Sequence, residues 1–124
     1  MQESALSLMQ LAKINARLAQ FSKAGFLFIS VLTDPTTAGV SASYALIGDI
    51  NIAEPNALIG FTGERITGSS VGEEELEALR LAQRAEKVLE NGFVDLVVPR
   101  SQMKHELNRL ISLLWDTPST GTRG

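Results

Sequence analysis

The sequence predicts a layered α/β domain, and three patterns carry this prediction. Residues 4–21 have apolar side chains at helical spacing on two adjacent stripes, which predicts a helix that is largely buried against a sheet or a partner. Residues 26–32 are almost continuously apolar, as is typical of a strand covered on both faces. Short strand-like segments follow, so helices and strands alternate along the chain.

Four further segments continue this alternation. Residues 40–46 predict a short helix of small side chains, and residues 50–54 and 57–61 predict two short strands. These two strands could form a hairpin or lie in consecutive layers of a spiral, and the sequence leaves both arrangements open. Residues 93–98 predict a last strand, which ends at Pro99.

Two more amphipathic helices are predicted on either side of that last strand. Ser70 with Glu73 forms a capping-box signal, which predicts a helix from Ser70 to Glu90, and Ser101 is predicted to cap the final helix. Gly25 is expected to end the first helix in the left-handed conformation, and Asn91-Gly92 to close the later one. The predicted inward residues are Leu76, Leu79, Ala82, Ala85 and Leu89 in the first of these helices and Met103, Leu107, Leu110, Ile111 and Leu114 in the second.

The composition argues against several classes of function. A net charge of −3 without a basic cluster does not favour nucleic acid or an anionic membrane as a partner. The chain has no cysteine, which excludes disulfides, Cys-ligated zinc and thiol nucleophiles, and no converging ligands for a metal ion are recognisable. Without a membrane-spanning apolar run or a basic leader, the cytoplasm or the plastid stroma is expected. Residues 1–116 are predicted to form the domain and residues 117–124 a disordered tail.

The turn after the first strand is the candidate site. Pro35 ends the strand, and small side chains follow at residues 38–43. Because the first N–H groups of the next helix have no intrahelical acceptor, those of Ala38 and Gly39 could hold an oxygen that is or becomes negative. The alternative is a plain strand-to-helix turn in which Gly39 only relieves backbone strain.

Several ordered runs of the sequence resemble one family. The most informative are Leu32-Thr33-Asp34-Pro35-Thr36-Thr37 and Gly48-Asp49-Ile50-Asn51-Ile52-Ala53-Glu54-Pro55. Residues 1–3, 6–10, 39–43, 57–61 and 90–98 add to them. Together, over roughly residues 1–66 and 83–114, they are similar to the carboxyltransferase β subunit of acetyl-CoA carboxylase.

The resemblance implies a partial crotonase-like spiral of β-β-α units, as also found in ClpP-like folds. It also implies transfer of a carboxyl group from carboxybiotin to acetyl-CoA, which gives malonyl-CoA for fatty acid biosynthesis. The expected partners in this ATP-dependent complex are a carboxyltransferase α subunit and a biotin carboxyl carrier protein, which supplies the carboxybiotin, so no cofactor is expected in this chain. The implied site residues are Ala38 and Gly39 as donors to the thioester oxygen, and Thr36, Thr37, Val40, Gly60, Gly63 and Arg65 as substrate-binding residues.

The sequence departs from that family in three places. Ala38 stands where the family has the first glycine of a pair, and a positive φ there would cost about 1–2 kcal/mol. Residues 65–70 differ from the family pattern near its active site. Met1 begins the chain where the family has a preceding Ser-Gly-Gly-Ala-Arg turn, so the upstream half and its zinc ribbon are expected to be absent. Two alternatives therefore stay open: a non-catalytic module that binds a partner through exposed apolar surface, and a fragment that folds poorly alone.

Overall fold

The structure, a computed structural model, describes residues 4–60 and 72–115 and confirms a mixed α/β fold with short parallel strands. A long helix comes first, four short strands and a π-helix follow, and three further helices and one strand complete the described chain. In chain order the elements are α1 (Ser4–Lys23), β1 (Ile29–Leu32), β2 (Thr36–Thr37), a π-helix (Ser41–Ala45), β3 (Ile50–Ala53), β4 (Ile59–Gly60), α2 (Glu73–Ala82), α3 (Ala85–Glu90), β5 (Leu96–Val97) and α4 (Arg100–Leu114).

The strands alternate between two parallel sheets. One sheet has the order β1-β3-β5, with Ile29 opposite Ile50 and Ile52 opposite Leu96. The other sheet consists of β2 and β4, with Thr36 opposite Ile59. Because β3 and β4 belong to different sheets, residues 50–54 and 57–61 do not form a hairpin.

Two hydrophobic clusters hold these layers together. The larger cluster joins β1 and β3 of one sheet and β4 of the other to α3. The smaller cluster joins β3 and the residue after β5 to α4. Leu32 and Ile52 are the largest fully buried side chains, and each contributes roughly 1.5–3 kcal/mol by leaving water. The larger cluster comprises Leu32, Ala45, Ala53, Ala57, Ile59, Ala85, Val88 and Val94; the smaller comprises Ile52, Val98 and Leu110, with Met103 and Leu107 packed against it.

The helix predicted over residues 70–90 is two helices in the structure. Ile59 N donates to Gln83 O at 2.7 Å, and Ala85 N donates to Ala57 O at 2.9 Å. These two bonds pair Arg84 with Leu58, just before β4, which requires an extended Arg84 (ψ 147°) and interrupts the helix.

The break also changes which side chains of these two helices are inward. Ala85 is buried as predicted, but Val88 is buried where Leu89 was expected, and Ala82 is exposed. Leu76 and Leu79 are half-buried. The first helix begins at Glu73 in the described chain, while Ser70 lies outside the described residues.

The first helix and strand are less covered than predicted. Leu6, Leu8 and Met9 of α1 are 60–66% exposed, so this helix is not buried within the described chain. Strand β1 alternates instead of being covered on both faces, since Ser30 and Leu32 are buried while Val31 is exposed.

The predicted helix ends are partly confirmed. Gly25 and Gly92 have φ values of +78° and +81°, the left-handed conformation that lets a helix end there. Helix α4 begins at Arg100 after Pro99 without a side-chain cap, so the prediction that Ser101 caps it is wrong. Of the inward residues predicted for α4, Ile111 and Leu114 are exposed. None of the described helices is long and apolar enough to cross a membrane.

Candidate functional site

The turn at residues 33–38 is tied to the second sheet by a set of short hydrogen bonds. Asp34 Oδ1 accepts the Leu58 N–H at 2.8 Å, and Thr36 N donates to Leu58 O at 2.9 Å. Thr36 Oγ1 donates to Thr33 O at 2.7 Å, which closes the turn internally. Thr36 is therefore mainly a structural residue of the turn, and its side chain is buried.

Ala38 continues the ladder between the two strands of the second sheet. Its N–H donates to Gly60 O at 3.0 Å, and its φ is +58°. The expectation that the Ala38 N–H is open to a thioester oxygen is therefore not met, because a sheet carbonyl already accepts that hydrogen. The positive φ places Ala38 in the left-handed region, where its Cβ makes the backbone conformation unfavourable. This is the unfavourable case considered in the sequence analysis.

Gly39 begins the helical segment that follows. Neither its N–H nor that of Val40 has a hydrogen-bond acceptor in the described ranges 4–60 and 72–115. A Cβ on Gly39 would meet only Leu11 Cδ1, at 3.9 Å, and the φ of Gly39 is not in the left-handed region. Neither packing nor backbone conformation among the described residues therefore requires glycine here.

Two buried serines, which the sequence reasoning did not single out, fix the backbone around this pair. Ser41 Oγ lies within hydrogen-bond distance of both Ala38 O, at 3.0 Å, and Gly60 O. Ser30 Oγ donates to Ala45 O at 2.5 Å and so fastens the end of the π-helix to β1. Ser30 could have been recognised as the polar residue inside the apolar run at 26–32. A buried hydroxyl usually has a hydrogen-bond partner, so its position predicts a structural hydrogen bond.

A cavity of about 700 Å³ lies between α1, β1 and the turn. We call it the turn cavity. Thr36, Thr37, Val40 and Tyr44 are among the residues that line it. Ala38 and Gly39 are not lining residues, although their chain neighbours Thr37 and Val40 are. Its apolar wall includes Ile14 and Leu18 of α1. The structure thus brings Thr36, Thr37 and Val40 together at one cavity, within the usual size range of small-molecule sites.

The other predicted binding residues lie elsewhere. Gly60 serves packing and the ladder: a Cβ there would overlap the side-chain amide of Gln83, and its carbonyl accepts the Ala38 N–H. Gly63 and Arg65 lie outside the described residues. His105 is exposed on α4, away from the residues that line the turn cavity.

The clearest electrostatic interactions are on the surface, at α4. Arg100 forms a two-pronged pair with Glu54, with Nε–Oε1 and Nη2–Oε2 distances of 2.5 and 3.0 Å, and this pair raises the pKa of Arg100. The hydrogen bond from Arg109 lowers the pKa of Glu106. Neither pair lines the turn cavity, and no metal-binding group of His, Cys, Asp and Glu exists among the residues that the structure describes.

Curated relatives match nearly the whole chain. The acetyl-coenzyme A carboxylase carboxyl transferase subunit beta of Pelobacter propionicus is 51% identical over 115 residues, which are 93% of this chain and 39% of the relative. The subunit of the same name from Pelotomaculum thermopropionicum is 56% identical over 113 residues, which are 91% of this chain and 39% of that protein. The one from Citrifermentans bemidjiense is 50% identical and covers 93% and 40%, respectively. Over more than nine tenths of its length the chain is therefore similar to one part of these carboxyltransferase β subunits.

The match confirms the family resemblance seen in the sequence. This chain spans only 39–40% of the length of these β subunits. No protein-family model matches it. A match of 113 of the 124 residues includes the turn and both strands of the second sheet, so the geometry described above belongs to the part shared with the carboxyltransferase β subunits.

Proposed function

We propose that this chain is the acyl-CoA-binding part of a carboxyltransferase β subunit, and that the thioester of acetyl-CoA lies in the turn cavity. The family match is the observation that carries this proposal. The cavity beside the turn, with three of the expected binding residues in its lining, supports it. The proposed reaction transfers a carboxyl group to acetyl-CoA and yields malonyl-CoA.

The chemistry proposed for the turn is stabilisation of an oxyanion. When a proton leaves the acetyl methyl group, negative charge develops on the thioester oxygen, and an N–H donor held in place beforehand lowers the energy of that enolate. The new carbon–carbon bond would join this methyl carbon to the carboxyl carbon as the bond from that carbon to the biotin nitrogen breaks. The biotin nitrogen would take the proton that the methyl group loses. Carboxybiotin, brought by a carrier protein alongside an α subunit, would supply the carboxyl group.

The hydrogen bonds of the turn divide the roles of Ala38 and Gly39. The Gly39 N–H is the proposed donor, since it has no acceptor in the described parts of the chain. Ala38 is a positioning residue instead, because its N–H and its carbonyl hold the turn against Gly60 and Ser41. The proposed architecture is the β-β-α spiral, supported by the alternation of successive strands between two sheets.

Titration calorimetry of the 124-residue chain with acetyl-CoA tests this proposal. We expect binding with a Kd in the micromolar range and, for Gly39→Val, a loss of at least about tenfold, because branched carbons would crowd the approach to the N–H. Gly72→Val is the matched control, since Gly72 precedes α2 and a Cβ there meets no described atom within 4 Å. No heat of binding at millimolar acetyl-CoA would contradict the proposal.

The second candidate function is a non-catalytic assembly module. The exposed apolar side chains of α1, including Leu6, Leu8 and Met9, favour it, because such patches mark association sites. An α subunit that binds the chain tightly, with acetyl-CoA binding absent from both the chain and the complex, would favour this alternative. Malonyl-CoA formation by the complex would exclude it.

A further inference from the structure

A second cavity adjoins the turn cavity. It has a volume of about 470 Å³ and lies between α1 and the segment that leads into β1. We call it the α1 groove. Ile14, Leu18 and Phe28 line both cavities, so the two adjoin each other along the helix. The other residues that line the α1 groove are Gln10, Lys13, Arg17 and Phe21.

Two basic side chains, those of Lys13 and Arg17, line this groove. Lys13 and Arg17 are four residues apart on α1, so their side chains lie on one face of the helix, and none of the described residues that line the groove is acidic. Arg17 Nη1 donates to Gln20 Oε1 at 3.0 Å, which leaves the other guanidinium donors for a ligand. Residues 4–23 carry three basic and no acidic side chains, whereas the whole chain has a net charge of −3.

This distribution of charge suits one part of the proposed substrate. Coenzyme A ends in a nucleotide with a diphosphate and a 3′-phosphate, all of them anionic, whereas the pantetheine arm is neutral. A chain of negative net charge repels such a ligand except where cations are grouped. The apolar floor of Ile14, Leu18 and Phe28 continues from the groove to the turn cavity, as a neutral arm between thioester and phosphates requires.

We propose that the α1 groove binds the nucleotide phosphates of acyl-CoA through Lys13 and Arg17, while the thioester lies in the turn cavity. This inference rests on the proposed function, since it names the part of the same ligand that extends beyond the thioester. Helix α1 is then a substrate-binding element, and its basic residues select acyl-CoA over acyl groups that lack the nucleotide.

Calorimetry with three ligands tests this assignment on the full 124-residue chain. The ligands are acetyl-CoA, acetyl-pantetheine, which lacks the phosphates, and adenosine 3′,5′-bisphosphate, which lacks the thioester. The variants are Lys13→Gln, Arg17→Gln and the double variant. Lys23→Gln is the control, because Lys23 has the same charge on the same helix but lines neither cavity.

The expected result is a selective loss. Each single variant should raise the Kd for acetyl-CoA about threefold to tenfold, and the double variant more, at low salt. Acetyl-pantetheine should bind equally to all variants, and Lys23→Gln should match the original chain for every ligand. Acetyl-CoA binding should also weaken as salt increases, because salt screens exposed charges.

Results that contradict the groove assignment can be distinguished from results that contradict the proposed function. Equal acetyl-CoA affinity for the original chain and the double variant, or failure of both acetyl-CoA and the bisphosphate to bind, would overturn the groove assignment. Bisphosphate binding that depends on Lys13 and Arg17, without any gain from the acetyl-thioester arm, would support the groove and contradict the proposed function. Circular dichroism checks that each variant is folded.

Discussion

The two walls of the turn cavity are built in opposite ways. On one side, the turn is fixed by hydrogen bonds of 2.8–3.0 Å to the backbone of Leu58 and Gly60 and by the buried hydroxyl of Ser41. On the other side, among the α1 residues whose burial is described (5–23), only Leu11, Asn15 and Leu18 are half-buried, and Asn15 Oδ1 is buried without a hydrogen-bond partner in the described ranges. The proposed function gives this difference a role, because the well-bonded wall would hold the backbone donor in place and the less covered wall would meet the ligand or a partner.

The largest expected contrast between the two walls is in hydrophobic packing. Leu32→Ala removes a fully buried side chain behind the turn and should lower the free energy of unfolding by about 2–5 kcal/mol. Leu8→Ala makes the same change at a 65% exposed position of α1 and should alter it by less than about 0.5 kcal/mol. Urea unfolding followed by circular dichroism measures both. A cost above about 1.5 kcal/mol for Leu8→Ala would show that α1 is packed more tightly than described.

The buried hydroxyl of the turn gives the next contrast. Ser41→Ala leaves Ala38 O and Gly60 O without that partner and should cost about 1–2 kcal/mol. Ser7→Ala on the exposed part of α1 should be neutral or slightly stabilising, because alanine has the higher helix propensity. The same unfolding measurement applies. Equal effects at the two serines would contradict the difference between the walls.

A glycine substitution should have opposite signs on the two walls. Ala38→Gly relieves a positive φ of 58° and should raise the free energy of unfolding by about 1 kcal/mol. Ala12→Gly, at an exposed position inside α1, should lower it by about 0.5–1 kcal/mol. Thermal unfolding of the pair distinguishes the signs directly. A destabilising Ala38→Gly would mean that the methyl group is not strained.

The smallest expected effect is a pH dependence of stability that comes from Glu106 on α4, which lies in neither wall of the turn cavity. The Arg109 hydrogen bond lowers the pKa of Glu106 below 4.5, so this contribution to stability is fully present above that pH and is lost as the pH falls below it. Glu106→Gln should therefore flatten the decline in stability on the acid side of pH 4.5 and leave the slope near neutral pH unchanged. Unfolding midpoints at several pH values measure this. An unchanged acid slope would contradict the assignment.

The sequence predicted the mixed α/β fold and the residues of the turn, because local signals such as Pro35, Gly25 and Gly92 act over a few residues. It could not predict which amides would be used by the second sheet. The bond from Ala38 N to Gly60 O depends on a register between β2 and β4, and the pairing of Ala85 with Ala57 likewise interrupts an otherwise continuous helical pattern. Long-range pairing overrides local propensity in both places.

Helix α1 shows the complementary limit. Its two apolar stripes correctly predict a helix, but the pattern does not say what covers the apolar face. In the structure Ile14 and Leu18 face cavities, while Leu6, Leu8 and Met9 are exposed. Hydrophobic periodicity therefore predicts a helix and which of its faces is apolar. What that face contacts depends on residues that are far away in the sequence.

The central claim is that acetyl-CoA places its thioester at the Gly39 N–H. Amide NMR spectra of the ¹⁵N-labelled chain, recorded during a titration with acetyl-CoA, test it most directly. We predict that the Gly39 and Val40 amide signals shift most as the ligand saturates, that the Ala38 signal shifts less because its hydrogen already binds Gly60 O, and that the signals of α2 and α3 stay in place. Saturation with acetyl-CoA that leaves the Gly39 signal unmoved would contradict the claim.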